Sequence, residues 1–227
     1  MNDNHRFQRY SQGIYLYAAP CFDLAIAQWH DPETRHRLTS WQTPSDLCLP
    51  QPQSMAVRAL ARWLLHHKWG YPAEEWLIER RSSGEPFLNR EGGLPVPHLS
   101  FSHRGAWVGC AVSLQGTIGF DLELPRKNYS SLTGSEHFLS AAEQQWIAKE
   151  GEPAFLAFWT LRESFAKCQG EGLSLALAPV PRELLAARNH QVTFVWQHKH
   201  WFCQQGRWQE LFWAVTMSNT RDASLPI

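Results

Sequence analysis

AWVGCAVSLQGTIGFDLEL, residues 106–124, is the stretch on which the reading of this chain turns. Two apolar, partly β-branched runs flank Gln115-Gly116, a pattern that predicts two strands joined as a hairpin. In the second run, Asp121 and Glu123 fall on one face of the strand and Phe120 and Leu122 on the other. Two carboxylates side by side repel one another unless solvent, a base or a cation lies between them. A solvated strand face is the plainest alternative, because charged residues ordinarily stay outside.

Upstream, HLSFSH at residues 98–103 predicts a further strand. It brings Ser102 and His103, both able to donate to a phosphate. An isolated histidine serves as readily in a structural or surface role, and no G-x-S-x-G elbow marks a hydrolase. Further upstream, SMAVRALARWLLHHKWG, residues 54–70, has helical spacing, with Ser54 as a cap and Gly70 as a stop. Arg58 and Arg62 share one face of this helix. Downstream, Ser140 and Glu143 form a capping-box pattern. A second strong helix runs from Pro153 through AFLAFWTLRESFAKCQG, and Gly170 and Gly172 end it. The remaining segments, QVTFVW, HWFCQQ and ELFWAVTMS, read as strands. The first 50 residues alternate short apolar and polar pieces.

These elements make an α+β fold. AWVGCAVSL (106–114) and LFWAVTMSN (211–219) echo each other, and each follows a strong helix. The echo predicts two related α+β halves, residues 1–115 and 116–227. Chance similarity of two apolar strands is the alternative. An interface between such halves is a favoured place for a ligand.

Composition narrows the function. In 227 residues, Lys+Arg and Asp+Glu both number 21, so overall charge draws the chain neither to nucleic acid nor to anionic lipid. Apolar residues reach 44%, enough for a packed core. Twelve Trp and twelve Phe serve core filling or ligand stacking. Five widely spaced Cys without C-x-x-C argue against a disulfide framework or a structural zinc site and point to a reducing cytoplasm. No signal-peptide pattern and no membrane-length apolar segment is expected.

Glu163 and Lys167 stand four apart on the second helix. They read either as an ordinary surface ion pair or as functional groups. Together with Asp121 and Glu123, Glu163 makes an oxygen-only set that suits Mg²⁺, and Lys167 adds a cation for substrate phosphates. No P-loop or kinase motif accompanies them.

These residues carry a resemblance. Gly119-Phe120-Asp121-Leu122-Glu123 and Trp159, Arg162, Glu163, Ser164 and Lys167 resemble the two motifs of the 4'-phosphopantetheinyl transferase superfamily, in its larger two-lobed form. Gly170 to Ser174, the Ser102-His103 strand, the Arg58/Arg62 helix and Phe138-Leu139-Ser140 with Glu143 are similar to it as well. The resemblance spans about Arg58 to Leu175.

It implies two halves related by a pseudo-twofold axis, with coenzyme A between them. It implies Mg²⁺ on Asp121, Glu123 and Glu163, and Lys167 on the pyrophosphate. Arg58, Ser102 and His103 would contact coenzyme A phosphates, and Glu163 would help deprotonate the attacking group. The reaction implied is Mg²⁺-dependent transfer of phosphopantetheine from coenzyme A to a serine of an acyl or peptidyl carrier protein, releasing 3',5'-ADP. The partners would be that carrier and coenzyme A, with no nucleic acid and no membrane.

The chain departs from the family pattern at Glu85, where the family has lysine in G-K-P, and near Gln53, where an arginine is expected. Arg162 for lysine and Phe120 for a branched aliphatic residue are milder. A Mg²⁺-dependent phosphodiesterase and a catalytically weakened coenzyme A-binding relative are the rival functions.

Overall fold

A computed structural model describes residues 7–72, 77–89, 95–125, 139–170, 180–181, 183–184 and 191–219. Strands β1 (Gln8–Ser11), β2 (Ile14–Ala19), β3 (Phe22–Gln28), β6 (His98–Arg104) and β7 (Trp107–Ser113) form one antiparallel sheet in the order β1-β2-β3-β7-β6. A second antiparallel sheet has the order β8-β11-β10-β9, from β8 (Thr117–Glu123), β9 (Gln191–Trp196), β10 (Lys199–Trp208) and β11 (Leu211–Asn219). β4 (Leu77–Arg80) and β5 (Pro86–Asn89) form a separate hairpin. The helices are α1 (Pro32–Thr39), α2 (Pro52–Trp69), α3 (Ala141–Glu150) and α4 (Glu152–Gln169).

Period-two patterning sorts the strand faces. On β3, Ala25 and Ala27 pack with Leu60 and Leu64 of α2, whereas Leu24 and Ile26 pack with Phe120, Leu122 and Trp213 of the second sheet. On the far side of that sheet, Ala214, Trp201 and Cys203 receive Leu161 and Phe165 of α4. The order of layers is therefore α2, first sheet, second sheet, α4. The aromatic excess goes mainly into these cores. Phe7, Tyr17, Trp107, Trp208 and Trp213 pack between the sheets, with ring centroids of neighbouring pairs such as Phe7 and Trp208 4.9 Å apart.

The expected hairpin across Gln115-Gly116 is not formed. β7 pairs with β3 on one edge and β6 on the other, so no edge remains for β8, which pairs with β11 instead. The turn carries the chain from one sheet to the other. It is pinned where Ser113 Oγ donates to Cys21 O (2.8 Å) and Gln115 Nε2 to Pro20 O (3.1 Å).

The helix expected from Ser54 starts two residues earlier, with Pro52 in its first turn, and Ser54 lies buried inside it. Gly70 ends it in the left-handed conformation, φ 67°. α1 was not anticipated, although Asp31-Pro32 is a start signal: Asp31 caps the Thr34 N–H. The Ser140–Glu143 capping box is present in full. Glu143 also accepts from buried Arg162 of α4 at 2.7 and 3.2 Å, so one carboxylate starts α3 and docks it on α4. Among the described residues no helix is long and apolar enough to cross a membrane. The expectations for Phe138, Gly172, Leu173 and Ser174 lie outside the described residues.

Candidate active site

The site begins at Gly119. A Cβ there would lie 1.8 Å from Ser164 O and 2.4 Å from Cys168 N. Glycine alone lets the α4 backbone rest directly on β8. Residues 119, 121 and 123 share that face, so Asp121 comes beneath Glu163 and Lys167. Phe120 points the other way, into the space left by Gly109 on β7, where a Cβ would stand 2.7 Å from its ring.

β6 lies along β8, and no backbone ladder joins them among the described residues. Serine hydroxyls bridge the gap. Ser100 Oγ accepts from Phe120 N (2.9 Å) and Ser102 Oγ accepts from Leu122 N (3.3 Å), so the two strands run in the same direction. Ser102 Oγ donates to Asp121 Oδ1 (2.8 Å). Lys167 Nζ donates across the same seam, to Asp121 Oδ1 (2.6 Å), Phe120 O (3.1 Å) and Phe101 O (3.3 Å).

Against this seam lies a cavity of about 380 Å³, walled by β6, β8, α2, α4 and the β4–β5 hairpin. Asp121, Glu123, Glu163, Lys167, Ser102 and His103 all line it. Arg58 does not. It is buried, with Nε 3.4 Å from Ile78 O and 3.8 Å from Asp46, the carboxylate that also holds Arg62. Ser102 is 7% exposed and its hydroxyl proton is committed to Asp121, which leaves it holding the carboxylate rather than free to donate to a ligand.

Sequence reasoning missed two cations. Arg80 lines the cavity from β4. Arg104 pairs with Glu123 at 2.9 Å. Period-two spacing from Ser100 and Ser102 puts Arg104 on the same face, a signal that was there to be used. Arg80 reaches the cavity through a hairpin whose placement no local pattern specifies.

Electrostatics mark Glu163. Burial, and then the charges of Asp121 and Glu123, push its carboxyl up to about 7, against the opposing pull of Lys167. The His103 imidazole is held below its ordinary range by partial desolvation and by the charges of Lys167 and Arg80, so it stays neutral at pH 7.

Whether a divalent cation fits can be judged from the donors. The three carboxylates supply oxygen only, and Asp121 Oδ2 is buried without a hydrogen-bond partner. Both features suit a hard cation. Among the described residues, however, no three His, Cys, Asp or Glu side chains are gathered around one point. Lys167 takes up Asp121 Oδ1 and Arg104 takes up Glu123. By chemistry the set fits Mg²⁺; its side chains are turned to protein cations.

Comparison with known proteins adds to this geometry. Residues 117–222, the segment carrying Asp121, Glu123, Glu163 and Lys167, match the family model described as the 4'-phosphopantetheinyl transferase superfamily. Over this segment, somewhat under half of the chain, the sequence is similar to that superfamily. It is 31% identical over 130 residues to the 4'-phosphopantetheinyl transferase psf-1 of Bacillus pumilus, across 56% of this chain and 53% of that protein. It is 36% identical over 102 residues to the 4'-phosphopantetheinyl transferase Sfp of Bacillus subtilis, across 43% of this chain and 42% of that one. To the L-aminoadipate-semialdehyde dehydrogenase-phosphopantetheinyl transferase of Xenopus laevis it is 26% identical over 188 residues, across 77% and 58%. The chain thus spans about half the length of the curated phosphopantetheinyl transferases it matches.

Proposed function

We propose that this protein transfers the 4'-phosphopantetheine group of coenzyme A to a serine of an acyl or peptidyl carrier protein, with Mg²⁺, in the cytoplasm. The observation that carries the proposal is the meeting of Asp121, Glu123, Glu163 and Lys167 in one cavity, on the segment that matches the superfamily. The two-lobed division at residues 1–115 and 116–227, with its pseudo-twofold axis, belongs to the same proposal. It is supported by the crossing of the chain from one sheet to the other at Gln115.

In this reading Asp121, Glu123 and Glu163 hold the Mg²⁺. Bound there, the ion would neutralise the charge that develops on the adenosine-side phosphate as the diphosphate bond breaks. Lys167 offers its ammonium to the diphosphate from the same wall. Arg80 and His103 face the donor phosphates, while Arg58, one layer back, acts through the charge it places behind Arg80. Ser102 holds Asp121 in position. Glu163 accepts the serine proton directly or through a water. The serine Oγ–P bond forms, the P–O bond of the diphosphate breaks and 3',5'-ADP leaves.

Incubation with coenzyme A, Mg²⁺ and an unmodified carrier domain tests this. The carrier should gain the mass of one phosphopantetheine. Cleavage of coenzyme A with an unmodified carrier would instead identify a hydrolase.

Lys167→Ala should lower kcat/KM for transfer by roughly 30- to 1000-fold, the effect of removing one preorganised charge. Steady-state kinetics at saturating Mg²⁺ checks this, and an unchanged value removes Lys167 from the reaction.

Glu163 makes a separate prediction about stability. Its carboxyl titrates at about 7 in the fold against an ordinary 4.5. Between those values the folded state keeps a proton that the unfolded chain gives up, so stability falls as pH rises through this window. The loss is on the order of 3 kcal/mol. In chelator-containing buffer, urea unfolding of Glu163→Gln across pH 4.5–8 should lack this component of the slope. Equal slopes in the two proteins would refute it.

A further inference from the structure

Glu85 sits where stability gives it little reason to be. Its side chain lines the cavity at the turn of the β4–β5 hairpin. One carboxylate oxygen lies 3.4 Å from where a Cβ on Gly170 would stand, beside the C-terminal end of α4. Helix C-termini favour cations, so an anion there is placed against the local field. Its ion-pair partner is Arg81 at 3.4 Å, four residues away, with side chains 58% and 32% exposed, a pair of the kind that contributes little.

The pair also changes what the cavity offers. Arg81 is drawn to Glu85 and over the Phe87 ring, 4.8 Å from its centroid, and does not line the cavity. Four carboxylates (Glu85, Asp121, Glu123, Glu163) then face two permanent cations, Arg80 and Lys167. Three of the acids stand together with Lys167 at the β8–α4 wall, where a divalent cation and a diphosphate can answer them. Glu85 stands on the hairpin, beside the C-terminal end of α4. A carboxylate in that position accepts hydrogen bonds from hydroxyls and repels phosphate. The same chemistry separates acidic ribose-hydroxyl binders from arginine-bearing ribose-phosphate binders in dinucleotide sites.

We infer, on the reading that this cavity takes a coenzyme A-like donor, that Glu85 is a specificity-determining residue favouring a donor whose ribose carries a free 3'-hydroxyl over one carrying a 3'-phosphate. The donor class is a pantetheine-bearing nucleoside diphosphate without the extra phosphomonoester. Transfer from it follows the same bond changes: the carrier serine Oγ bonds to the pantetheine-side phosphorus, the diphosphate P–O bond breaks, the hydroxyl proton passes to base or solvent, and 5'-AMP leaves. Two unit charges about 6 Å apart in a partly solvated protein site repel by enough to change affinity about tenfold, which sets the size of the effect.

Titration calorimetry of the full chain with coenzyme A and with 3'-dephospho-coenzyme A, each with Mg²⁺, provides the test. The wild-type protein should bind the dephospho compound at least as tightly as coenzyme A. In Glu85→Gln, and further in Glu85→Lys, the ratio of the two affinities should shift towards coenzyme A by about tenfold, mainly through the Kd of coenzyme A. A shift of less than threefold in both variants overturns the role of Glu85 while leaving the transferase reading intact. Binding of neither compound by the wild-type protein overturns both. Because the ratio is measured within one variant, a variant with a smaller folded fraction still reports it.

Discussion

Asp121→Asn should lower the Mg²⁺-dependent transfer rate by about 10²- to 10³-fold or more while the protein remains folded. Asp121 is 4% exposed and joins three elements: its own strand, Ser102 of β6 and Lys167 of α4. Its second oxygen is buried and without a hydrogen-bond partner, and that oxygen is what the proposed cation would use. Asparagine keeps the shape and one acceptor for Lys167 and Ser102, but removes the charge. Losing one preorganised electrostatic group of this kind costs two to three orders of magnitude in rate. Alanine is the poorer test. It would strip Lys167 of its nearest anion and orphan the Ser102 hydroxyl, so lost stability would mix with lost chemistry. The readout is the rate of carrier mass gain, with thermal unfolding recorded beside it. Transfer at the wild-type rate would dissolve the metal assignment.

Gly119→Ala should cost about 3 kcal/mol or more in stability, and activity with it. The added methyl would meet Ser164 O at 1.8 Å and Cys168 N at 2.4 Å, both backbone atoms of a helix that cannot turn aside as a side chain can. α4 must lift off β8. Glu163 and Lys167 ride on that helix, so lifting it parts them from Asp121. A misplacement of about 1 Å in a reacting constellation costs on the order of 10²-fold in rate. Gly109→Ala is the natural comparison. There the obstacle is the edge of the Phe120 ring at 2.7 Å, which can shift, and the cost should be smaller. Urea unfolding of the two variants compares them, and a Gly119→Ala protein as stable as the wild type would show that α4 does not rest on β8.

Which side chains share a face at the site was legible from local pattern because that spacing is local. Asp121 and Glu123 are two apart on a strand, and Glu163 and Lys167 four apart on a helix. Those separations fix which side chains share a face before any packing is known. The α4 boundaries, the capping box at Ser140 and the α+β character followed from equally short-range rules. Gln115-Gly116 shows where such rules stop. A turn dipeptide between two apolar runs satisfies the hairpin pattern, yet β7 already has partners on both edges. Partner choice depends on strands nearly a hundred residues away.

The same limit separates Ser102 and Arg58 from the roles that resemblance gave them. Only the fold shows that the Ser102 hydroxyl is committed to Asp121 and that Arg58 is drawn to Asp46. Sequence by itself determined which residue types share each face. Tertiary structure decided which faces meet, because a face finds its partner through close packing and buried hydrogen bonds between distant segments, and neither is written in the local spacing of residues.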